Sequence, residues 1–277
     1  MLITRFAPSP TGRLHMGHAY SALFAESLAI KERGKFLLRI EDIDTNRCRE
    51  EYTEGIYEDL KWLGLRWDPV ILIQSTRFDE YEKSINILRE LEVLYPCFCS
   101  RKKIIMEQSN VGLAPHGADL TKYSGNCRKM NPEEGKNRIA EGEPHSWRLD
   151  CSKAFSITGE LQWFDRLAGN VNVNPSILGD VIISRKDIGT SYHLAVTLDD
   201  AEQGVSLISR GEDLIESTHV HRLLQCLLGL PVPQWCHHRL IKNLQGKRFS
   251  KREGSLTLKE MRNSGVRAED LKSELGF

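Results

Sequence analysis

The sequence lacks any apolar run close to the roughly 20 residues that a membrane-spanning helix needs, although it is 277 residues long. It also lacks an excess of either charge, because 38 Lys and Arg residues balance 38 Asp and Glu residues. A neutral chain has no overall field that attracts nucleic acid, so an RNA contact has to use a local basic patch. No charged and then apolar signal region precedes the first motif. We therefore expect a cytoplasmic protein with no membrane partner.

The sequence also has an odd number of cysteines, seven, which argues against a full disulfide framework. Four of them are scattered and are predicted to be reduced thiols, namely Cys48, Cys151, Cys226 and Cys236. Hydrophobic residues make up 40% of the chain and charged residues 27%, which indicates a folded protein with a sizeable core. The length allows one large domain or two small ones.

The most informative segment lies near the N-terminus, in the run RFAPSPTGRLHMGH over residues 5–18. Two prolines and a glycine predict a loop that leads into a helix. A helix N-terminus binds phosphate, because it presents unpaired N–H groups and partial positive charge. His15 and His18 share a helix face and can donate to phosphate oxygens, while Gly17 lets a flat ring such as adenine approach the backbone. The alternative is that the H-x-G-H tetrapeptide arises by chance and that its histidines are ordinary surface groups.

The order of predicted elements favours an α/β fold with a parallel sheet. Apolar patterns predict a strand at 2–6, a helix that ends at Gly34, and a strand at 36–40. Carboxyl ends of parallel strands meet at one edge, so residues 5–12 should lie beside residues 41–44. Further helices are predicted at 49–63, 78–94, from after Gly211 to about 228, and from 260 onwards. Strands that resume the sheet are predicted at 147–149, 181–183, 194–198 and 205–208.

The segment from about residue 95 to residue 145 is rich in Gly, Pro, Asn and charge and has little periodicity. We predict an insertion that leaves the sheet and that needs a stabilising cross-link because its own apolar core is poor. Cys97, Cys99 and Cys127 suit structural zinc, which prefers thiolates and takes four ligands at tetrahedral corners. The spacing leaves the fourth ligand open among His116, Asp119, Tyr123 and Cys151. Free thiols are the alternative.

Residues 5–18 resemble the HIGH signature of class I aminoacyl-tRNA synthetases and, more narrowly, the opening of the glutamyl-tRNA synthetases. The run FLLRIEDID at 36–44 and the strings TSYHLAV and ISRGED, which carry Tyr192 and Arg210, resemble segments of the same family. The resemblance implies the Rossmann-like parallel sheet of a class I synthetase catalytic domain with a zinc-bearing insertion.

The run GKRFSKR at 246–252 resembles the KMSKS loop of these enzymes, with Lys251 at its second lysine. Arg248, Phe249 and Arg252 depart from the motif at its first lysine, its methionine and its last serine. Amino-acid activation adds charge to the α-phosphate of ATP, and a lysine there stabilises that charge together with Mg²⁺. The resemblance implies ATP contacts and catalytic roles for His15, His18 and Lys251, with Gly17 admitting adenine.

The same resemblance implies a pocket for L-glutamate that is lined by Arg5, Ser9, Glu41, Tyr192 and Arg210. An acidic amino acid needs both signs of charge in its pocket: guanidinium groups hold carboxylates, and Glu41 receives the ammonium group. The alternative for Arg5 is a structural ion pair with Asp42 or Asp44.

Short paralogues in this family, the glutamyl-queuosine tRNA(Asp) synthetases, carry zinc on a Cys-x-Cys, Tyr-x-x-x-Cys set. The resemblance implies one structural Zn²⁺ per chain on Cys97, Cys99, Tyr123 and Cys127. A full glutamyl-tRNA synthetase continues past its KMSKS loop into a helical anticodon-binding part. We therefore expect a single catalytic domain over 1–277, with the insertion at about 95–145. The KMSKS-like loop and a short tail would occupy about 236–277, with no anticodon-binding domain.

The implied activity is tRNA-independent activation of L-glutamate with ATP and transfer to queuosine in the anticodon loop of tRNA(Asp). Three alternatives stay open: a truncated glutamyl-tRNA synthetase that charges tRNA(Glu), another H-x-G-H nucleotidyltransferase, and a non-catalytic RNA-binding paralogue. One cluster offers a local RNA contact or, alternatively, a solvated basic loop: His237, His238, Arg239, Lys242, Lys247, Arg248, Lys251 and Arg252.

Overall fold

A computed structural model describes residues 1–100, 123, 125–174, 176–177, 179–241 and 256–277. Its strands are β1 (Ile3–Phe6), β2 (Lys35–Ile40), β3 (Leu72–Ile73), β4 (Leu94–Cys97), β5 (Ser146–Leu149), β6 (Gln162–Asp165), β7 (Gly169–Asn172), β8 (Ile182–Ser184), β9 (Leu207–Gly211) and β10 (Gln234–His238). The described α-helices are α1 (Met16–Lys31), α2 (Glu50–Trp62), α3 (Phe78–Glu90), α4 (Pro132–Ala140), α5 (Cys151–Thr158), α6 (Tyr192–Glu202), α7 (Ile215–Leu227), α8 (Leu258–Asn263) and α9 (Ala268–Leu275). Among these helices, none has the length and apolar character that a membrane span requires.

A parallel sheet organises the molecule, as the sequence predicts. Strands β1, β2 and β3 pair in parallel in that order. A second sheet has the order β7-β6-β10-β9, and its β6–β10 and β10–β9 pairs are also parallel. The Ser206 amide donates to the Ile3 carbonyl at 3.0 Å, so the start of β9 lies directly beside β1. The first and the late strands therefore share one carboxyl edge.

Helix α1 packs closely on β1 because its inner face is small. Ala22, Ala25 and Ala29 are buried, and the Ala25 carbonyl accepts a hydrogen bond from Thr4 Oγ1 at 2.8 Å. Gly34 follows the helix as predicted, although Arg33, with a φ of +50°, holds the left-handed conformation. A Cβ on Gly34 would collide with the Leu2 carbonyl, so glycine is required for close approach of the chain.

The strands around the predicted insertion differ from the expectation. Strands β4, β5 and β8 do not resume the parallel sheet but form a separate antiparallel one. Leu94 pairs with Leu149 and Cys97 pairs with Ser146. The chain between β4 and β5 therefore begins and ends at two paired strands.

The strand predicted at 194–198 is wrong, because these residues lie in α6. Ser191 caps the helix by accepting from the Leu194 amide at 3.5 Å. Leu194, Ala195 and Val196 are all buried between neighbouring elements, and an apolar run without polar breaks does not distinguish a buried helix from a strand. The strand predicted at 205–208 begins later, at Leu207.

Candidate active site

The H-x-G-H segment forms the start of α1, and its histidines build the turn themselves. His15 is the N-cap, and its Nδ1 accepts from the Gly17 amide at 3.1 Å. His18 Nδ1 accepts from the His15 amide at 3.1 Å, and the two ring centroids lie 3.8 Å apart. A neutral imidazole that accepts at Nδ1 carries its proton on Nε2, so each ring is a donor at Nε2. The turn therefore presents imidazole donors together with a helix N-terminus.

Lys251 lies outside the described residues, but the described residues on both sides of residues 242–255 lie next to α1. On one side, Ile241 packs on the core cluster that contains Leu14. On the other side, the Leu258 amide donates to the Leu14 carbonyl at 2.9 Å, and Thr257 forms a β-bridge with His15.

Arg5 is buried, and it pairs with neither carboxylate of the structural alternative, Asp42 or Asp44. Its Nε and Nη2 donate to the Asp200 carboxylate at 2.9 and 3.3 Å, and its Nη1 donates to the Ser209 carbonyl at 2.9 Å. The alternative pairing with Asp42 or Asp44 is therefore wrong. Asp42 accepts from the amide and hydroxyl of Ser75, and Asp44 accepts from Arg185.

A second buried arginine extends this network to Glu41. Arg39 Nη1 donates to Asp200 at 2.8 Å and Arg39 Nη2 donates to Glu41 at 3.1 Å. The Glu41 amide donates to the Pro8 carbonyl at 3.0 Å, so residues 5–12 and 41–44 meet as predicted. Ser9 lies on the same loop, where its Oγ is 3.9 Å from Cys48 Sγ.

Arg210 lies on β9 and is also buried. Its Nη1 donates to the Tyr192 hydroxyl at 3.3 Å, which brings together two residues predicted for the glutamate pocket. Arg210 directly follows Ser209, whose carbonyl accepts from Arg5, so both predicted guanidinium groups lie at neighbouring positions.

The ionisable groups of this cluster influence one another. Burial raises the pKa of Glu41, and Arg39 and Arg5 oppose that rise. Burial also raises the pKa of Tyr192, against the charge of Arg210. For Arg210, burial and the charge of Arg5 lower the pKa, although Tyr192 opposes them. These mutual effects, together with the hydrogen bonds above, indicate that Arg5, Glu41, Tyr192 and Arg210 lie close to one another.

The cysteines of the insertion also come together. The sulfurs of Cys97, Cys99 and Cys127 lie within 4.8 Å of one another and could hold a metal ion. The Tyr123 hydroxyl lies 3.5 Å from the Sγ atoms of Cys97 and Cys99, and it accepts from the Cys127 amide at 2.9 Å. Cys151 is excluded as a ligand because its Sγ donates to the Gly179 carbonyl. His116 and Asp119 lie outside the described residues.

The structure describes only part of the predicted basic cluster. The prediction that His237 and His238 contribute to an RNA contact is wrong. His237 and His238 are buried, with 6% and 3% of their surface exposed, because β10 lies inside the sheet. Arg239 lies 6.0 Å from the ring centroid of Tyr20. Five members lie outside the described residues: Lys242, Lys247, Arg248, Lys251 and Arg252.

Four residues of this network have no predicted role in the site, namely Arg39, Asp165, Asp200 and His221, and His237 was predicted for the basic cluster instead. A charge inside the apolar strand FLLRI signals a buried ion pair, so Arg39 could have been found from the sequence. The pairing of the other residues depends on elements that are distant along the chain.

The chain is similar to known synthetases over its whole length. A family model described as tRNA synthetases class I (E and Q), catalytic domain, matches residues 1–275. A glutamyl-Q tRNA(Asp) synthetase of Rhodobacter capsulatus is 42% identical over 283 residues that span 100% of both chains. A glutamate–tRNA ligase of Aquifex aeolicus is 38% identical, with 97% of this chain and 55% of that protein covered.

A solved structure is also similar to this chain. The glutamate-tRNA synthetase of Elizabethkingia anophelis superimposes with a TM-score of 0.75 at 26% identity, and the match covers 95% of this chain and 54% of the other. This chain thus spans about half the length of the glutamate–tRNA ligases that it matches. The fold and the pocket define a catalytic domain of a class I aminoacyl-tRNA synthetase. Within that class, the chain belongs to the family of glutamate and glutamine synthetases.

Proposed function

We propose that the protein activates L-glutamate with ATP and Mg²⁺ and transfers the glutamate to queuosine in the anticodon loop of tRNA(Asp). One observation supports the activation step: the proposed glutamate residues Arg5, Glu41, Tyr192 and Arg210 lie close together near the sheet edge from which α1 begins. A cytoplasmic location, where ATP and tRNA are present, accompanies this proposal.

The charges of the pocket suit an acidic amino acid. Arg39 and Arg5 share Asp200, and Arg39 also pairs with Glu41. With Arg210, three guanidinium groups face two carboxylates, which leaves one positive charge for an amino acid of net charge −1. Glu41 would receive the α-ammonium group, and Arg210 with Tyr192 would bind the side-chain carboxylate. Arg5 and Ser9 would orient the backbone of the substrate.

Activation then joins the two substrates. An oxygen of the glutamate α-carboxylate attacks the α-phosphorus of ATP, and pyrophosphate leaves as glutamyl-adenylate forms. His15 and His18 would donate to phosphate oxygens from Nε2, and Gly17 would admit the adenine ring. Lys251 would stabilise the charge that develops on the α-phosphate. Mg²⁺, bound with ATP, would neutralise the phosphates.

We also propose that Cys97, Cys99, Tyr123 and Cys127 hold one structural Zn²⁺. Tetrahedral zinc with Zn–S of about 2.3 Å and Zn–O of about 2.0 Å places sulfur and oxygen about 3.5 Å apart. The Tyr123 hydroxyl lies 3.5 Å from both Cys97 and Cys99, so the donors present fit the ion. Zinc would tie β4 to the turn at Asn126–Lys129 and would stabilise the insertion.

The proposed acceptor rests on similarity of sequence to glutamyl-Q tRNA(Asp) synthetases. One such relative, from Rhodobacter capsulatus, is 42% identical over 283 residues. The 38% identity to a glutamate–tRNA ligase favours charging of tRNA(Glu) as the second candidate.

Pyrophosphate exchange separates these functions. We expect glutamate-dependent ATP–pyrophosphate exchange without RNA, followed by transfer of labelled glutamate to tRNA(Asp) that carries queuosine. The same tRNA without queuosine is the control and should stay unlabelled. Exchange that strictly requires tRNA(Glu), with labelling of that tRNA, would identify the second candidate instead. A protein that shows neither exchange nor transfer would contradict both.

A further inference from the structure

Arg210 is surrounded by neutral hydrogen-bond acceptors. Its Nε donates to His237 Nε2 at 3.2 Å, its Nη1 to His221 Nδ1 at 3.2 Å, and its Nη2 to Thr218 Oγ1 at 2.5 Å. Among the residues that the structure describes, no carboxylate forms an ion pair with Arg210. Arg5 and Arg39 differ in this respect, because they share the Asp200 carboxylate. The donors of Arg210 are thus satisfied by neutral groups, and the Asp200 carboxylate acts on its charge only at longer range.

The protonation of His237 is determined from both sides of its ring. Asp165 Oδ2 lies 2.6 Å from His237 Nδ1 and accepts from the His237 amide at 3.1 Å. A carboxylate only accepts, so Nδ1 carries the proton and Nε2 offers its lone pair to Arg210. Asp165 is itself held by the Leu167 and Ala168 amides, which donate to its Oδ1 at 2.8 and 3.0 Å.

His221 follows the same logic on the other side of the guanidinium group. Its Nδ1 faces Arg210 Nη1, so Nε2 carries the proton and donates to His193 Nδ1 at 3.2 Å. Burial and the charge of Arg210 lower the pKa of His193 and His237 to about 4. Burial and the charge of Arg210 also lower the pKa of His221, so the histidines around Arg210 are uncharged at neutral pH.

We propose that Asp165, His237, His221 and His193 are positioning residues that hold Arg210 as a cation with no directly paired carboxylate, so that the site selects a side-chain carboxylate over a carboxamide. This inference rests on the proposed function, because it takes glutamate as the substrate. A carboxylate in place of either histidine would pair with Arg210 inside the protein. Neutral acceptors leave the charge of Arg210 for the substrate.

The test replaces His237 in two ways and compares kinetics in glutamate-dependent pyrophosphate exchange. His237→Leu removes the acceptor for Arg210 Nε, and we expect the KM for glutamate to rise roughly ten- to a hundredfold, as for a lost bond to a charged group. The KM for ATP should stay unchanged, and the preference for glutamate over glutamine should fall. His237→Gln restores an acceptor near the position of Nε2 and should recover most of the affinity.

His219→Gln is the matched control. The ring of His219 packs on Trp163 with centroids 5.7 Å apart, and that of His237 does so at 5.6 Å. His219 accepts from the Asn174 amide and does not contact Arg210. We expect this variant to keep the wild-type KM for glutamate, although it loses comparable packing.

Two further measurements keep the inference falsifiable. If His237→Leu does not fold, His193→Phe removes the acceptor at the far end of the chain of histidines, and it should raise the KM for glutamate severalfold. Folded variants with wild-type KM for glutamate and unchanged preference over glutamine would overturn the inference. Wild-type protein without glutamate-dependent exchange would instead contradict the proposed function.

Discussion

Replacement of Asp200 by asparagine tests the buried charge network most directly. Asp200 is 3% exposed and is the shared acceptor of two buried guanidinium groups. Its Oδ1 accepts from Arg5 Nε at 2.9 Å and from Arg39 Nη1 at 2.8 Å, and its Oδ2 accepts from Arg5 Nη2 at 3.3 Å. An amide keeps the first two bonds but places an NH₂ group against Arg5 Nη2, and it removes the negative charge.

The size of the effect follows from burial. Loss of one partner of a buried ion pair costs about 3–5 kcal/mol, because the remaining charge is left without compensation. Since the asparagine oxygen keeps two of the three bonds, we expect Asp200→Asn to lower the free energy of unfolding by about 3 kcal/mol. A domain with a stability of about 5–15 kcal/mol still folds after such a loss. Arg5 would lose its orientation, so the KM for glutamate should also rise.

The acid dependence of stability gives an independent test of the same charge. Burial opposes ionisation of Asp200, but Arg39 and Arg5 outweigh it and hold the pKa below its usual value of 3.8. The stabilisation from the carboxylate is therefore present above about pH 4 and is lost as the pH falls through the lowered pKa. Asp200→Asn should lack this part of the acid dependence.

Denaturant unfolding, followed at pH 7 and at pH 3, measures both effects. Glu80→Gln is the control. Glu80 accepts from Lys83 at 2.8 Å, the distance between Arg39 and Asp200, but this pair lies on the surface. That change should leave stability at the wild-type value. A loss below about 1 kcal/mol in Asp200→Asn would refute the argument that this carboxylate compensates two buried charges.

Three further predictions follow from other parts of the structure. Cys127→Ser should lower the zinc content of purified protein from one ion per chain to none by metal analysis, whereas Cys226→Ser, an exposed cysteine, should keep the ion. Burial raises the pKa of Asp59 to about 6 against the charges of Arg262 and Arg13, so its contribution to stability is present below pH 4 and lost as the pH rises through 6. Thermal unfolding should therefore show Asp59→Asn to be more stable than wild type at pH 8, by at most about 3 kcal/mol, and equal at pH 4; equal stability at both pH values would contradict this. In Gly17→Ala, the new Cβ would lie 3.1 Å from His15 Cε1, so the KM for ATP should rise about tenfold while the helix keeps its stability; an unchanged KM would show that the position of His15 is not needed.

Local patterns in the sequence predict the first half of the fold well. The strand–helix–strand start, the helices near residues 50–62 and 78–90, and the parallel sheet are confirmed, because caps, glycines and apolar spacing act within a few residues. The strand predicted at 194–198 is wrong because a local pattern does not show which distant elements pack against a segment. Its apolar residues are buried on several sides, so the spacing contains no exposed face to reveal a helix.

Residue types predict the composition of the candidate site but not its contacts. The charges expected around glutamate and the cysteines expected around a metal do come together. The structural alternative for Arg5 named the nearby carboxylates Asp42 and Asp44, whereas the structure pairs it with Asp200, 195 residues away in the sequence.

The sequence by itself determined the α/β class, the helix start at the H-x-G-H motif and the set of chemical groups in the pocket. Those properties depend on residue identity and on neighbours within one or two turns. Only the tertiary structure decided that Asp200 compensates Arg5 and Arg39 and that neutral histidines surround Arg210. The partner of a buried charge depends on which distant elements pack against it, and spacing along the chain does not contain that information.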